Sequence, residues 1–232
     1  MREAAEGRVA MWVRQAWAVA LKDLRVEVRG REVSNSIVPF AATLLVVFGL
    51  AFGPGRTALR SAAPALLWLA VLFAGVLALR RSFEAETEDG ALEGLALSPA
   101  DRTAIYTGKV LAVSVQLIGL EVLTLLGTAF LFGLAPTDLP LVLGAFALGT
   151  VALAAIGTLF GALAVRARAR EALFPLLLLP LSIPVLVAGI RATELAMGGP
   201  PGGAGSWIGL LGAFASLSIS AGLLAFEHLM DD

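Results

Sequence analysis

The chain has 232 residues, 58% of them hydrophobic and only 15% charged, with a net charge of −1. A soluble domain averages about 45–50% apolar and about 25% charged, and a chain this small has too much surface to hide the excess in a core, so the bilayer is its natural solvent. The lack of cysteine excludes disulfides and thiolate chemistry, the single histidine, His228, leaves no cluster for zinc, and near-neutral charge offers no field for nucleic acid.

Residues 1–35 form an N-terminal segment holding seven of the 17 basic residues: Arg2, Arg8, Arg14, Lys22, Arg25, Arg29 and Arg31. No apolar stretch follows closely enough to make a cleavable signal peptide. Wound as a helix, Trp17, Leu21, Leu24 and Val28 fall within about 60° of one another, and Arg14, Lys22, Arg25 and Arg29 fall within a separate arc of about 80°. That division predicts a helix lying in the membrane surface, with tryptophan at headgroup level and basic groups against anionic lipid. The alternative is a solvated amphipathic helix packed on another domain.

Residues 36–232 form the membrane domain. Six apolar segments follow one another: Ile37–Phe52, Ala62–Leu79, Val110–Phe132, Leu139–Val165, Ala172–Ile190 and Trp207–Phe226. Each is near the 17–25 residues or so that cross a bilayer. Without dyad alternation they are helices, because a spanning segment must satisfy its own backbone. The predicted fold is an all-α integral membrane protein with six transmembrane helices. Basic residues orient it. Fourteen fall in the N-terminal segment and in the loops after the second and fourth spans; Arg56, Arg60 and Arg191 fall on the other side. Both termini are therefore expected in the cytoplasm.

Between the second and third spans lies a polar insert, residues 80–109, with six of the chain's 18 acids: Glu84, Glu86, Glu88, Asp89, Glu93 and Asp101. Leu92 and Leu95 would share one face of a short helix. Ser98 reads as an N-cap and Pro99 as a first-turn residue, so the helix of the third span is predicted to begin at Pro99. Such an insert is either a part that touches a partner or a solvated loop folded back on the bundle.

Within the spans, Glu121 is the one carboxyl deep in a hydrophobic segment, about 18 Å along a helix from Lys109. An ionisable group there should face protein or a wet cavity, and Thr124 and Thr128 share its face. A role in handling substrate or an ion is one reading, a purely structural one the other. Gly157 and Gly161 present a small-xxx-small face for close helix packing, more naturally within the subunit than between copies. Pro175, Pro180 and Pro184 each remove a backbone donor from the fifth span, which makes it a static kinked helix or a hinge. No phosphate-binding loop occurs; Gly53-Pro54-Gly55-Arg56-Thr57 is only a turn. The chain is expected to be no enzyme, with no metal site.

Arg80-Arg81-Ser82-Phe83 and Glu88-Asp89-Gly90-Ala91-Leu92-Glu93-Gly94-Leu95-Ala96-Leu97-Ser98-Pro99 resemble the E-D-G-x-L-E-x-L-x-L-S-P loop of the haem exporter B (CcmB) family. A looser G-x-L-E-x-L form runs through the wider ABC-2 (type V) permease class. Leu179-Pro180-Leu181-Ser182-Ile183-Pro184 is similar to the same family's L-P-L-[ST]-I-P signature, and Ala63-Pro64-Ala65-Leu66-Leu67-Trp68 also fits. The resemblance covers nearly the whole chain apart from the first ten residues and the outer loop Met197–Ser206.

It implies a permease subunit in a bacterial cytoplasmic (inner) membrane, paired with a second copy and with separate subunits that bind and hydrolyse ATP. Haem on its way to cytochrome c is the implied substrate, with a haem-handling membrane protein and a haem chaperone as further partners. Glu88, Asp89, Gly90, Leu92, Glu93, Leu95, Leu97 and Pro99 become the ATPase-coupling element on a cytoplasmic coupling helix. No axial haem ligand is assigned; His228 and Met197 read as incidental. The alternatives are an ABC-2 permease for a lipid-linked glycan or drug, and an ion-coupled secondary transporter using Glu121.

Overall fold

The computed structural model describes residues 2–30, 33–52, 56–88, 101–165, 170–200 and 202–229. Seven α-helices and one π-helical turn make up its regular structure, with no strand among the described residues. Helix α1 is Arg2–Gly30. A π turn over Val33–Ile37 leads directly into α2, Val38–Phe52, with Pro39 next to their junction. Then come α3, Arg56–Glu88; α4, Arg102–Phe132; α5, Leu139–Val165; α6, Arg170–Ala196; and α7, Ala204–Leu229.

Six of these segments are long and apolar enough to cross a membrane: Asn35–Phe52, Ala58–Leu79, Arg102–Phe132, Leu139–Leu163, Pro175–Ala196 and Ala204–Phe226. The expected span count therefore holds, and the protein is an all-α membrane protein. Two boundaries differ from expectation. Helix α3 does not stop near Leu79 but runs on through Glu88, so the first part of the polar insert, Glu88 included, continues the second span. Helix α4 begins at Arg102 rather than Pro99, capped by Asp101 in an extended conformation, whose carboxylate accepts from the Thr103 N–H at 2.9 Å. The aspartate wins because its charge meets the orphan N–H groups and positive dipole end of the first turn.

Helix α5 is the central element, packed against α3, α4, α6 and α7. Its buried face is mostly small, with Ala145, Gly149, Ala152, Ala154, Ala155 and Gly157 letting neighbours approach closely. Trp68 of α3 fills the space this creates. It is fully buried, stands edge-on to Phe146 of α5 and donates its indole N–H to Thr193 Oγ1 of α6 at 2.9 Å. A Cβ on Gly149 or Gly189 would come within 2.3 or 2.4 Å of that ring. One aromatic side chain thus sets the spacing of three helices, with its polar atom satisfied.

Three prolines do not break α6, which is helical from Arg170 to Ala196. Pro180 is exposed and Pro184 half-buried, while Ser182 between them is buried and donates to the Leu179 carbonyl at 2.8 Å. Gly157 faces α3: a Cβ there would lie 2.3 Å from Leu79 Cδ1. Its role is packing within the subunit. Gly161, one turn on, is buried on the same helix.

Candidate functional site

The residues expected to couple the chain to an ATPase, Asp89, Gly90, Leu92, Glu93, Leu95, Leu97 and Pro99, lie outside the described residues, as do Ser98 and Ala100. What the structure provides is the frame on either side of them. Helix α3 delivers the chain at Glu88, and α4 resumes it at the Asp101 cap.

That cap is bolted to α1. Trp12 donates its indole N–H to Thr103 Oγ1 at 2.8 Å, and Gln15 Oε1 accepts from the Asp101 backbone N–H at 3.2 Å. One turn further, the helices all but touch at Gly108, where a Cβ would meet the Ala16 carbonyl oxygen at 2.5 Å and Val19 Cβ at 2.7 Å. Beyond that, the Asp23 carboxylate lies 3.5 Å from the ammonium of Lys109 and 3.1 Å from that of Lys22. Lys109 is 3% exposed, although its position in the sequence suggests a loop cation. The Asp101 carboxyl is held below its usual range, chiefly by the Thr103 hydroxyl, against the opposing effect of burial and with help from the Thr103 and Ala104 backbone N–H groups.

Helix α1 therefore has three sides. Trp12, Ala16, Val19 and Asp23 lie within about 60° of one another and face α4. The apolar stripe expected at the membrane surface lies about 140° around from them, and its Trp17 and Val28 are 58% and 76% exposed, with Leu21 and Leu24 half-buried. The basic arc of Arg14, Lys22, Arg25 and Arg29 takes the third side, also exposed. Sequence reasoning found the second and third sides and missed the first. With Ala16 and Asp23 between them, Trp12 and Val19 make a weaker stripe than Trp17, Leu21, Leu24 and Val28, so the contacts with Asp101, Thr103, Gly108 and Lys109 are what reveal the docking face.

Glu121 is wholly enclosed between α4 and α5. Its Oε1 accepts from the Thr150 hydroxyl of α5 at 2.7 Å, while Oε2 has no hydrogen-bond partner among the described residues. Thr124 and Thr128, expected to share its polar environment, instead donate back to the carbonyls of Glu121 and Thr124. Thr150 is the partner that sequence reasoning missed. It lies 29 residues away on another helix, beyond the reach of any local spacing rule. Glu121 lines neither the cleft beside Phe132 nor the small void beside Leu117.

At the other end of α4, about 46 Å from Asp101 along a 31-residue helix, the helix ends facing the α6–α7 connection line an open cleft of about 390 Å³. Arg60, Phe132, Leu134, Glu194 and Met197 line it. The Ala196 carbonyl accepts from Thr137 N, Thr137 Oγ1 and Asp138 N at 2.7, 2.9 and 3.0 Å, tying the α4–α5 connection to the end of α6. Gly133 and Gly198 turn the chain there at φ 63° and 84°, which a side chain would strain. No cluster of metal-ligating residues occurs among the described residues.

Comparison with known proteins places the chain. The CcmB protein family model matches residues 14–231. Heme exporter protein B of Pseudomonas aeruginosa is 36% identical over 202 residues, covering 84% of this chain and 89% of that protein. The protein of the same name from Bradyrhizobium diazoefficiens is 34% identical over 187 residues, covering 79% and 82%. That of Paracoccus denitrificans is 30% identical over 192 residues, covering 78% and 84%. With its six apolar helices and a match from the middle of α1 to the end of α7, the chain belongs to the CcmB protein family.

Proposed function

We propose that the chain is the membrane permease subunit of a haem exporter serving cytochrome c maturation, driven by ATP hydrolysis in a separate subunit. The observation that carries this is the family match over residues 14–231, joined to relatives named Heme exporter protein B. The bundle suits the role: α3 ends and α4 begins on either side of an acidic, leucine-bearing segment, and α1 grips the α4 side of it. A push on residues 89–100 would be passed into α4 along its axis and into α1 through Trp12 and Gln15.

On this reading Glu88, Asp89, Gly90, Leu92, Glu93, Leu95, Leu97 and Pro99 meet the ATPase, and Leu92 and Leu95 enter an apolar groove on it. A second copy of the chain, a haem-handling membrane protein and a haem chaperone complete the assembly in the bacterial inner membrane, with both termini cytoplasmic. The exposed stripe of Trp17 and Val28 beside the basic arc of α1 suits a lipid surface. Burying two leucines contributes about 1.5–3 kcal/mol each before ordering costs. Replacing Leu92 and Leu95 together by Asp should therefore abolish co-purification with the ATPase while leaving membrane insertion intact. Wild-type stoichiometry in that double variant would refute the docking assignment.

A further inference from the structure

Most hydroxyls inside the spans are satisfied by their own helix. Thr107, Thr124, Thr128, Ser182, Ser216 and Ser218 each donate to a carbonyl three or four residues back, the usual solution where no bulk water is at hand. Ser114 of α4 and Thr158 of α5 do not. Both are buried, and neither hydroxyl has a hydrogen-bond partner among the described residues. The third buried oxygen in that condition is Glu121 Oε2.

Helix geometry puts all three on one seam. The bonds from Thr150 to Glu121 and from the Tyr106 hydroxyl to the Ala155 carbonyl show that α4 and α5 run antiparallel. Ser114 is seven residues from Glu121 towards the Asp101 end of α4, about 10.5 Å along the axis and within about 20° of the same face. Thr158 is eight residues beyond Thr150, about 12 Å in the same direction, on the arc between Thr150 and Ala155. The two hydroxyls therefore sit at nearly one level, yet do not bond each other. Helical side chains lean towards the N-terminus, so the Glu121 carboxyl lies over the turn on the Ser114 side. No cation answers it. Of the elements packed on α4, α2, α5, residues 61–79 of α3 and residues 204–226 of α7 carry no ionisable side chain. The charges that α1 brings, Asp23 and Lys22, lie at Lys109, 12 residues away.

We propose that the α4–α5 seam binds water at Ser114 and Thr158 and, through that water, a proton at Glu121. Orphaned oxygens in a buried polar setting are where internal water is held. A proton is the smallest counterion a carboxyl can take, and it needs no cavity, which matches a side chain with no exposed surface. Entry is from the Asp101 end, because both orphaned hydroxyls lie on that side of Glu121. The contact between Glu121 and Thr150 then becomes a proton-bearing joint between α4, which leaves the acidic insert, and the central helix α5. The site does not depend on what the protein exports.

The test is infrared spectroscopy of the purified full chain in lipid nanodiscs at neutral pH, transferred from H2O to D2O. A carboxylic-acid carbonyl band present in wild type and absent from Glu121→Gln identifies the proton, and its shift in D2O times the exchange. Ser114→Ala combined with Thr158→Val removes both hydroxyls at nearly constant volume. The band should persist there, with its shift slowed about tenfold, the effect on a rate of one lost hydrogen bond of about 1.4 kcal/mol. Exchanging the two side chains, Ser114→Thr with Thr158→Ser, should restore the wild-type rate. Ser216→Ala, which removes an exposed hydroxyl of α7, should leave it unchanged. Melting midpoints on the same samples separate unfolding from lost exchange, and if the double variant does not fold, Thr158→Val alone is read for the same slowing. Absence of a Glu121-dependent acid band would overturn the proposal, as would a D2O shift equally fast with and without the two hydroxyls.

Discussion

Gly108 is the point at which α1 and α4 come closest, and a side chain there should unseat α1. A Cβ would lie 2.5 Å from the Ala16 carbonyl oxygen and 2.7 Å from Val19 Cβ, both rigidly placed. Relief requires the helices to separate by roughly 1 Å, since ordinary carbon contacts lie near 3.5–4.0 Å. Overpacking of this kind costs about 1–3 kcal/mol. Removing a helical glycine returns about 0.8–1.0 kcal/mol, so Gly108→Ala should be destabilising by no more than about 2 kcal/mol. Gly108→Leu has several more atoms to place and should exceed that.

Gly119, on the same helix, is the control, because nothing lies within 4 Å of a Cβ there. Gly119→Leu should be neutral or mildly stabilising. At about 2–4 °C per kcal/mol for a chain of this size, the two leucine variants should differ in thermal midpoint by several degrees in detergent. The absence of natural cysteine allows a direct reporter. Ala20→Cys, 2% exposed on the docked face, should resist maleimide in the parent and react readily in the Gly108→Leu background. An equal midpoint for Gly108→Leu and Gly119→Leu, with the thiol still protected, would refute the docking of α1 on α4.

Glu121→Gln should keep thermal stability within about 1 kcal/mol, because an amide carbonyl still accepts from Thr150, whereas Glu121→Leu should cost about 1–3 kcal/mol by stranding that hydroxyl; holo-cytochrome yield measured beside the melts separates structural from transport roles. Asp101→Ala should lose a cap worth about 0.5–2 kcal/mol. Because the Asp101 carboxyl is depressed, its contribution is present above the unfolded value near pH 4 and lost as pH falls through the lowered folded value. Asp101→Asn, which caps without titrating, should flatten that acid limb of a melting-versus-pH curve. Single cysteines at Ser98 and Ser206 should label from opposite sides of the membrane, and labelling of both from outside would contradict the inferred orientation.

The six spans and the all-α class were legible in the sequence because bilayer thickness and backbone satisfaction act on each segment independently, and composition alone answers to them. The family was legible for a related reason. Its signatures at Glu88–Pro99 and Leu179–Pro184 are contiguous stretches, readable without knowing what they touch. Helix limits were less so. Ser98-Pro99 is the expected start, yet Asp101 caps the helix, and Gln15 and Trp12 of α1 reach that end of α4.

Tertiary structure alone decided which small residues matter. Gly108, Gly149 and Gly189 look like other glycines until Val19 and Trp68 are placed against them. It also decided that Lys109 belongs to a buried junction with Asp23, and that Glu121 is held by Thr150. Each of these joins residues of different helices. A sequence encodes the face a helix presents, but in a membrane the lipid is as apolar as the protein, so hydrophobic pattern does not say which faces meet. Steric fit, hydrogen bonds and charge make that choice, and they exist only once the helices are packed.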